Sequence, residues 1–136
     1  NLKEAYDYLT NELGAEKVGI IGWCLGGKWS LRGSLMLPNE IDATVIYYGS
    51  LIDDREQLAT LEMPIIGFVG TKDRPYINQF IQFDKDLKVL NKDYSIYFYE
   101  GAGHAFSNAS GTAYEPEAAE DSWEKTVKFL ATHLTK

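Results

Sequence analysis

The chain reads as an α/β protein, a mostly parallel sheet flanked by helices, and three observations predict it. Segments with helical period alternate with short β-branched or aromatic runs from one end of the chain to the other. The runs at 18–22, 43–48 and 64–69 are almost continuously apolar, as expected of strands covered on both faces. The residues best suited to chemistry stand just after strands, where open parallel sheets place their sites.

Taken in order, Leu2, Ala5, Tyr6, Leu9 and Leu13 share a helical period that Gly14 ends. Val18 to Ile21 is the first strand. Lys28 to Leu37 follows as a helix, with Pro38 beyond it. Ala43 to Tyr48 is a second strand, closed by Gly49, and Pro64 to Val69 a third, closed by Gly70. Tyr76 to Leu90 is a helix with Ile77, Phe80, Ile81, Leu87 and Leu90 along its apolar stripe. Tyr94 to Tyr99 is the fourth strand. Pro116 to Leu134 is a long helix whose stripe is Ala119, Trp123, Val127, Leu130 and Leu134, so Trp123 is expected in the core. Tyr47, Tyr97 and Tyr99 are read as strand residues packing in the core. Glu115, Glu117, Glu120 and Asp121 are read as favourable charges near a helix N-terminus.

Composition narrows the function. A length of 136 residues sets a single domain, 1–136, able to bury roughly two-thirds of its unfolded surface. The net charge of −7, without any Lys/Arg cluster, argues against nucleic acid as a partner. No apolar run is long enough to span a membrane, so no membrane partner is expected. Cys24 is the only cysteine; it cannot form an internal disulfide, which fits a cytoplasmic location.

The most informative segment is Val18-Gly19-Ile20-Ile21-Gly22-Trp23-Cys24-Leu25-Gly26-Gly27. It is a strand, a tight glycine-flanked turn and the start of a helix, the context that exposes a nucleophile. Glycines stand at 22, 26 and 27 on either side of Cys24 because a Cβ close to a strained turn would clash. Cys24, then Asp73 in Gly70-Thr71-Lys72-Asp73, then His104 in Gly101-Ala102-Gly103-His104 gives the order nucleophile, acid, histidine. A thiol of ordinary pKa near 8.5 is mostly protonated at neutral pH, so a neighbouring imidazole and a helix start both help form the thiolate. Asp73 would fix the tautomer of His104, and the backbone N–H of Leu25 would serve as an oxyanion donor. Plainer readings stand beside these. Cys24 can be a small buried hydrophobe, His104 a structural loop histidine, and Asp73 a cap or Asx-turn before Pro75. His133 lies at the end of the last helix, where a charge on a solvated face suffices to explain it.

These segments resemble the dienelactone hydrolase family of α/β-hydrolases. The resemblance also includes Ile46-Tyr47-Tyr48-Gly49, His104-Ala105-Phe106 and Tyr114-Glu115-Pro116-Glu117-Ala118-Ala119. It implies Cys24, Asp73 and His104 as a catalytic triad that hydrolyses a small ester or lactone through an acyl-enzyme, with no metal or organic cofactor. Well-known members place an arginine four residues after the histidine; here that position is Asn108. The resemblance runs along the C-terminal part of the family only. It therefore implies a truncated α/β-hydrolase fold without the N-terminal strands, the helix and the loop that gives a second oxyanion donor. Val18 to Gly22 would then be an exposed apolar edge, which leads to the expectation of a homodimer or of association with a separate N-terminal fragment. The alternative function is a catalytically impaired member acting as an oligomerising or binding module.

Overall fold

The computed structural model describes residues 1–135. Its elements are α1 (Leu2–Asp7) running into a π-helical turn (Tyr8–Glu12), then β1 (Gly19–Trp23), α2 (Leu25–Met36), β2 (Ala43–Tyr47), α3 (Arg55–Leu58), β3 (Ile65–Gly70), α4 (Arg74–Val89), β4 (Tyr94–Tyr99) and α5 (Pro116–Leu134). The four strands form one sheet in the order β1-β2-β3-β4, every pair parallel.

The alternating faces of β2 and β3 divide the core in two. Ile46, Ile65 and Val69 face a cluster with Leu31 of α2 and Phe80, Phe83 and Leu87 of α4. Val45, Tyr47, Ile66 and Phe68 face a second cluster with Phe106 and, from α5, Phe129 and Leu130. Both faces of the central strands are thus covered, which is why these sequences lack a polar alternation. Buried hydroxyls pair across each layer: Ser34 with Thr44 at 2.6 Å and Tyr47 with Thr126 at 2.8 Å.

Three local expectations give way. Trp123 and Val127 are exposed, at 52% and 50%, while Ser122 and Thr126 are the buried positions of α5. The Tyr47 phenol points into that layer and needs a partner, so a hydroxyl-bearing position of the helix faces the sheet. Along α1, Leu2 and Tyr6 pack on the core, but Leu9 and Leu13 are exposed. The π-turn, closed by the Leu13 N–H to the Tyr8 carbonyl, adds a residue to the coil and rotates later side chains off the stripe. Ile81 of α4 is likewise exposed.

β1 is only partly covered, whereas β2 is buried throughout. Among the described residues it pairs with β2 alone, so its other edge is open. Beside it lies an apolar recess of about 490 Å³ lined by Leu2, Ile20, Ile21, Trp29 and Met36, among others.

Burial pushes the phenols of Tyr47, Tyr48 and Tyr99 above their ordinary pKa; for Tyr99 the neighbouring Asp121 carboxylate adds to the effect. The neutral phenol is therefore the form the fold favours. The stability each contributes is complete below the unfolded value of 10.0 and is lost as pH rises through the higher folded value. In an alkaline titration these tyrosines are expected to ionise late, together with the loss of circular dichroism. Ionisation of all nine tyrosines well before unfolding would contradict this.

Candidate active site

Cys24 stands between the end of β1 and the first residue of α2, at φ 54° and ψ −117°. A non-glycine residue in that region carries about 1–3 kcal/mol of strain, which surrounding bonds must hold. The Cys24 N–H donates to the Tyr47 carbonyl at 3.0 Å, and its own carbonyl accepts from Lys28 N–H at 3.2 Å. The turn is tight enough that a Cβ on Gly22 would meet the Gly26 carbonyl oxygen at 2.1 Å, and one on Gly27 the Tyr47 carbonyl oxygen at 2.6 Å. Gly26 differs, because a Cβ there meets nothing within 4 Å. Helix α2 starts at Leu25 rather than at the expected Lys28, so the glycine pair forms its first turn. Leu25 N–H therefore occupies a position where helix donors have no intrahelical acceptor.

Asp73 ends the β3 loop and is the N-cap of α4, which begins at Arg74. Its carbonyl accepts from Tyr76 and Ile77 N–H, yet its carboxylate makes no capping bond. The side chain, fully buried, turns instead to His104, whose Nδ1 lies 2.8 Å from Asp73 Oδ2. Asp73 Oδ1 has no hydrogen-bond partner among the described residues. His104 belongs to the irregular segment between β4 and α5, and its Nε2 lies 3.2 Å from Cys24 Sγ. The structure thus brings Cys24, His104 and Asp73 into one chain of contacts, each residue lying after a different strand.

Two tyrosines hold the imidazole from its sides. Tyr48 meets it edge-on with ring centroids 5.2 Å apart, and Tyr76 at the same 5.2 Å in a tilted arrangement. Tyr48 lies at φ 32°, and its hydroxyl is 2.7 Å from Ser107 Oγ. Burial raises the Tyr48 phenol above its usual pKa, the Ser107 bond opposing this and Tyr47 and Cys24 adding a little to it. Sequence reasoning placed Tyr48 in a segment of the family resemblance but gave neither Tyr48 nor Tyr76 a role at the site. The place of Tyr48, at the carboxyl end of a strand, was the available signal.

The arrangement can take a proton from the thiol at His104 Nε2 while Asp73 accepts from Nδ1–H. A recess of about 350 Å³ opens at the thiol, lined by Trp23, Cys24, Tyr48, Ala105, Ser107 and Asn108. Among the described residues no group of three or more His, Cys, Asp or Glu could hold a metal ion, and no helix is long and apolar enough to cross a membrane.

The sequence profile of the dienelactone hydrolase family matches residues 2–134. A Saccharolobus solfataricus protein, provisionally named a carboxymethylenebutenolidase, is 32% identical over 134 residues, covering 93% of this chain and 48% of its own. The carboxymethylenebutenolidase of Rhodococcus opacus is 28% identical over 127 residues, covering 86% of this chain and 50% of its own. Among solved structures, a dienelactone hydrolase-like promiscuous phosphotriesterase from metagenomic libraries superposes with TM-score 0.83 at 20% identity, over 98% of this chain and 60% of that one. The dienelactone hydrolase of Anabaena variabilis gives TM-score 0.75 at 22% identity, over 96% of this chain and 57% of that one. These two likenesses speak to the fold alone. The chain spans about half the length of the curated relatives it matches. With the profile matching nearly every residue and the parallel sheet agreeing with these structures, the chain belongs to the dienelactone hydrolase family.

Proposed function

We propose that the chain hydrolyses small esters or lactones through Cys24 as nucleophile, His104 as general base and acid, and Asp73 as the group that orients His104. The observation that carries this is the unbroken run of contacts from Asp73 Oδ2 through His104 to Cys24 Sγ, at 2.8 and 3.2 Å. In the first half-reaction the thiol proton moves to His104 Nε2 as Sγ bonds the carbonyl carbon. The tetrahedral oxyanion faces Leu25 N–H at the start of α2, where the helix dipole also favours negative charge. Collapse breaks the carbon–oxygen bond of the leaving alcohol, which takes the proton from Nε2. Water then attacks the thioester, giving its proton to Nε2, and the acid leaves as the Cys24–carbon bond breaks and the proton returns to sulfur. Relatives named for a butenolide support a lactone among the substrates. A cytoplasmic location belongs to the same reading, because the exposed lone thiol of Cys24 is kept reduced there.

Cys24→Ala tests the proposal with p-nitrophenyl acetate. The variant is expected to fall to the rate of uncatalysed hydrolysis; equal rates for the two proteins would end it.

A second reading rests on the open edge of β1. The exposed Trp29 and Met36, which line the recess beside that edge, give an apolar surface that favours pairing with a further strand. We propose that a second copy or a separate N-terminal fragment covers it. Light scattering at micromolar concentration is expected to return more than a monomer mass, and a stable, cooperatively melting monomer would contradict this.

A further inference from the structure

His104 sits on the irregular segment between β4 and α5, with its side chain 35% exposed. Ala105, next to it, stands at φ 62°, a conformation that no helix or strand supplies. The imidazole meets the other two residues of the candidate site through Nδ1, 2.8 Å from Asp73 Oδ2, and Nε2, 3.2 Å from Cys24 Sγ. The bond to the carboxylate is strong, whereas a thiol is a weak partner. One strong bond anchors one ring atom. It leaves the imidazole plane able to swing about the line from Nδ1 to Oδ2, and a swing carries Nε2 away from sulfur. Proton transfer tolerates little of this, because a reacting group must be held within about 0.5 Å and roughly 10–20° of its productive position.

Tyr76 constrains that plane. Its ring lies against the imidazole with centroids 5.2 Å apart and planes inclined by 37°, within the range of attractive ring pairs. The tyrosine is itself held. It stands in the first turn of α4, its N–H donates to the Asp73 carbonyl at 3.0 Å, and Pro75 restricts the backbone just before it. It also packs on the core cluster that contains Phe80 and Phe83. Asp73, the N-cap, and Tyr76 in the turn it opens therefore ride on one helix start. A single rigid element delivers both the acceptor for Nδ1 and the ring beside it. Tyr48 touches the imidazole too, but it also forms part of the recess wall beside Cys24, so its substitution would disturb the binding surface as well. Tyr76 is not part of that wall.

Resting on the hydrolase reading, we propose that Tyr76 is a positioning residue whose ring fixes the plane of His104 and keeps Nε2 aimed at Cys24 Sγ. The lever is the ring and not the hydroxyl, and it acts only through the histidine.

Alkylation of Cys24 by iodoacetamide at neutral pH tests this, because it reads the transfer of the thiol proton to His104 without an ester or an oxyanion site. Cys24 is the only cysteine, so loss of free thiol reports it alone. His104→Ala sets the rate without the base. Tyr76→Leu keeps apolar bulk against the core and loses the flat ring; it is expected to slow alkylation by about two- to tenfold, the span an aromatic pair is worth. Tyr76→Phe is expected to match the parent. In a His104→Ala background, Tyr76→Leu is expected to add nothing. Melting temperatures are read alongside, and Tyr76→Met replaces the leucine variant if that one does not fold. Alkylation of Tyr76→Leu as fast as the parent, of Tyr76→Phe as slow as Tyr76→Leu, or a further slowing in the His104→Ala background would each overturn the proposal and leave the hydrolase reading standing. A His104→Ala protein that reacts as fast as the parent would end both.

Discussion

Asp73→Asn is expected to lower kcat/KM for a small ester by about 10⁴-fold while leaving the fold intact. The carboxylate of Asp73 is fully buried and spends its one hydrogen bond on His104 Nδ1. As an acceptor it requires a proton on Nδ1, which leaves Nε2 bare and able to take the thiol proton at 3.2 Å. An asparagine in the same pocket can turn its amide N–H toward Nδ1. The imidazole then carries its proton on Nε2, aimed at Cys24, and no longer acts as a base. Because the substitution is nearly isosteric and neutralises a buried charge, the melting temperature is expected to hold or rise. Activity within about tenfold of the parent would show that Asp73 only fills space beneath the histidine.

Gly22→Ala is expected to destabilise the chain by about 3 kcal/mol and to abolish reaction at Cys24. The new Cβ would lie 2.1 Å from the Gly26 carbonyl oxygen and 2.2 Å from its carbon. Both contacts are to backbone, so no side-chain rotation relieves them. The first turn of α2 must move, and with it go Leu25 N–H and the strained conformation at Cys24. Gly26→Ala is the matched control. It adds the same methyl four residues on, where nothing stands within 4 Å, and inside a helix alanine is favoured over glycine by roughly 0.5–1 kcal/mol. Equal melting temperatures for the two variants would refute the steric account of the turn.

This contrast also shows how far the sequence could be read. A run of glycines around a cysteine announces a tight turn, and Gly22 and Gly27 obey that reading through close backbone approach. Gly26 does not, and nothing local distinguishes it. Long-period features were legible: four strands, the parallel arrangement and the two long helices α4 and α5 follow from apolar spacing. The orientation of α5 was not. Its most hydrophobic stripe, Trp123 and Val127, faces outward, because the inward side must meet the Tyr47 hydroxyl with Thr126. Periodicity registers only apolar mass and is blind to a buried phenol on another element. The four-residue helix α3 is too short for any period; its start is set by the Asp54 carboxylate accepting from Glu56 and Gln57 N–H.

At the candidate site, the clustering of Cys24, Asp73 and His104 was legible because each follows a strand and because their chain order is distinctive. The choice for Asp73 between capping α4 and meeting His104 depended on the direction of one side chain, which only the fold supplies. Tyr48 and Tyr76 flank the imidazole from elements 28 residues apart in sequence, a juxtaposition that spacing cannot encode.

The central claim is that Cys24 forms a covalent acyl intermediate. Mass spectrometry of the protein, quenched in acid during turnover of p-nitrophenyl acetate, tests it most directly. One acetyl group is expected on the peptide containing Cys24, gone once the ester is consumed and absent in Cys24→Ala. Turnover by the parent protein with no acetyl group on that peptide, or an acetyl group that outlasts the substrate, would contradict the account.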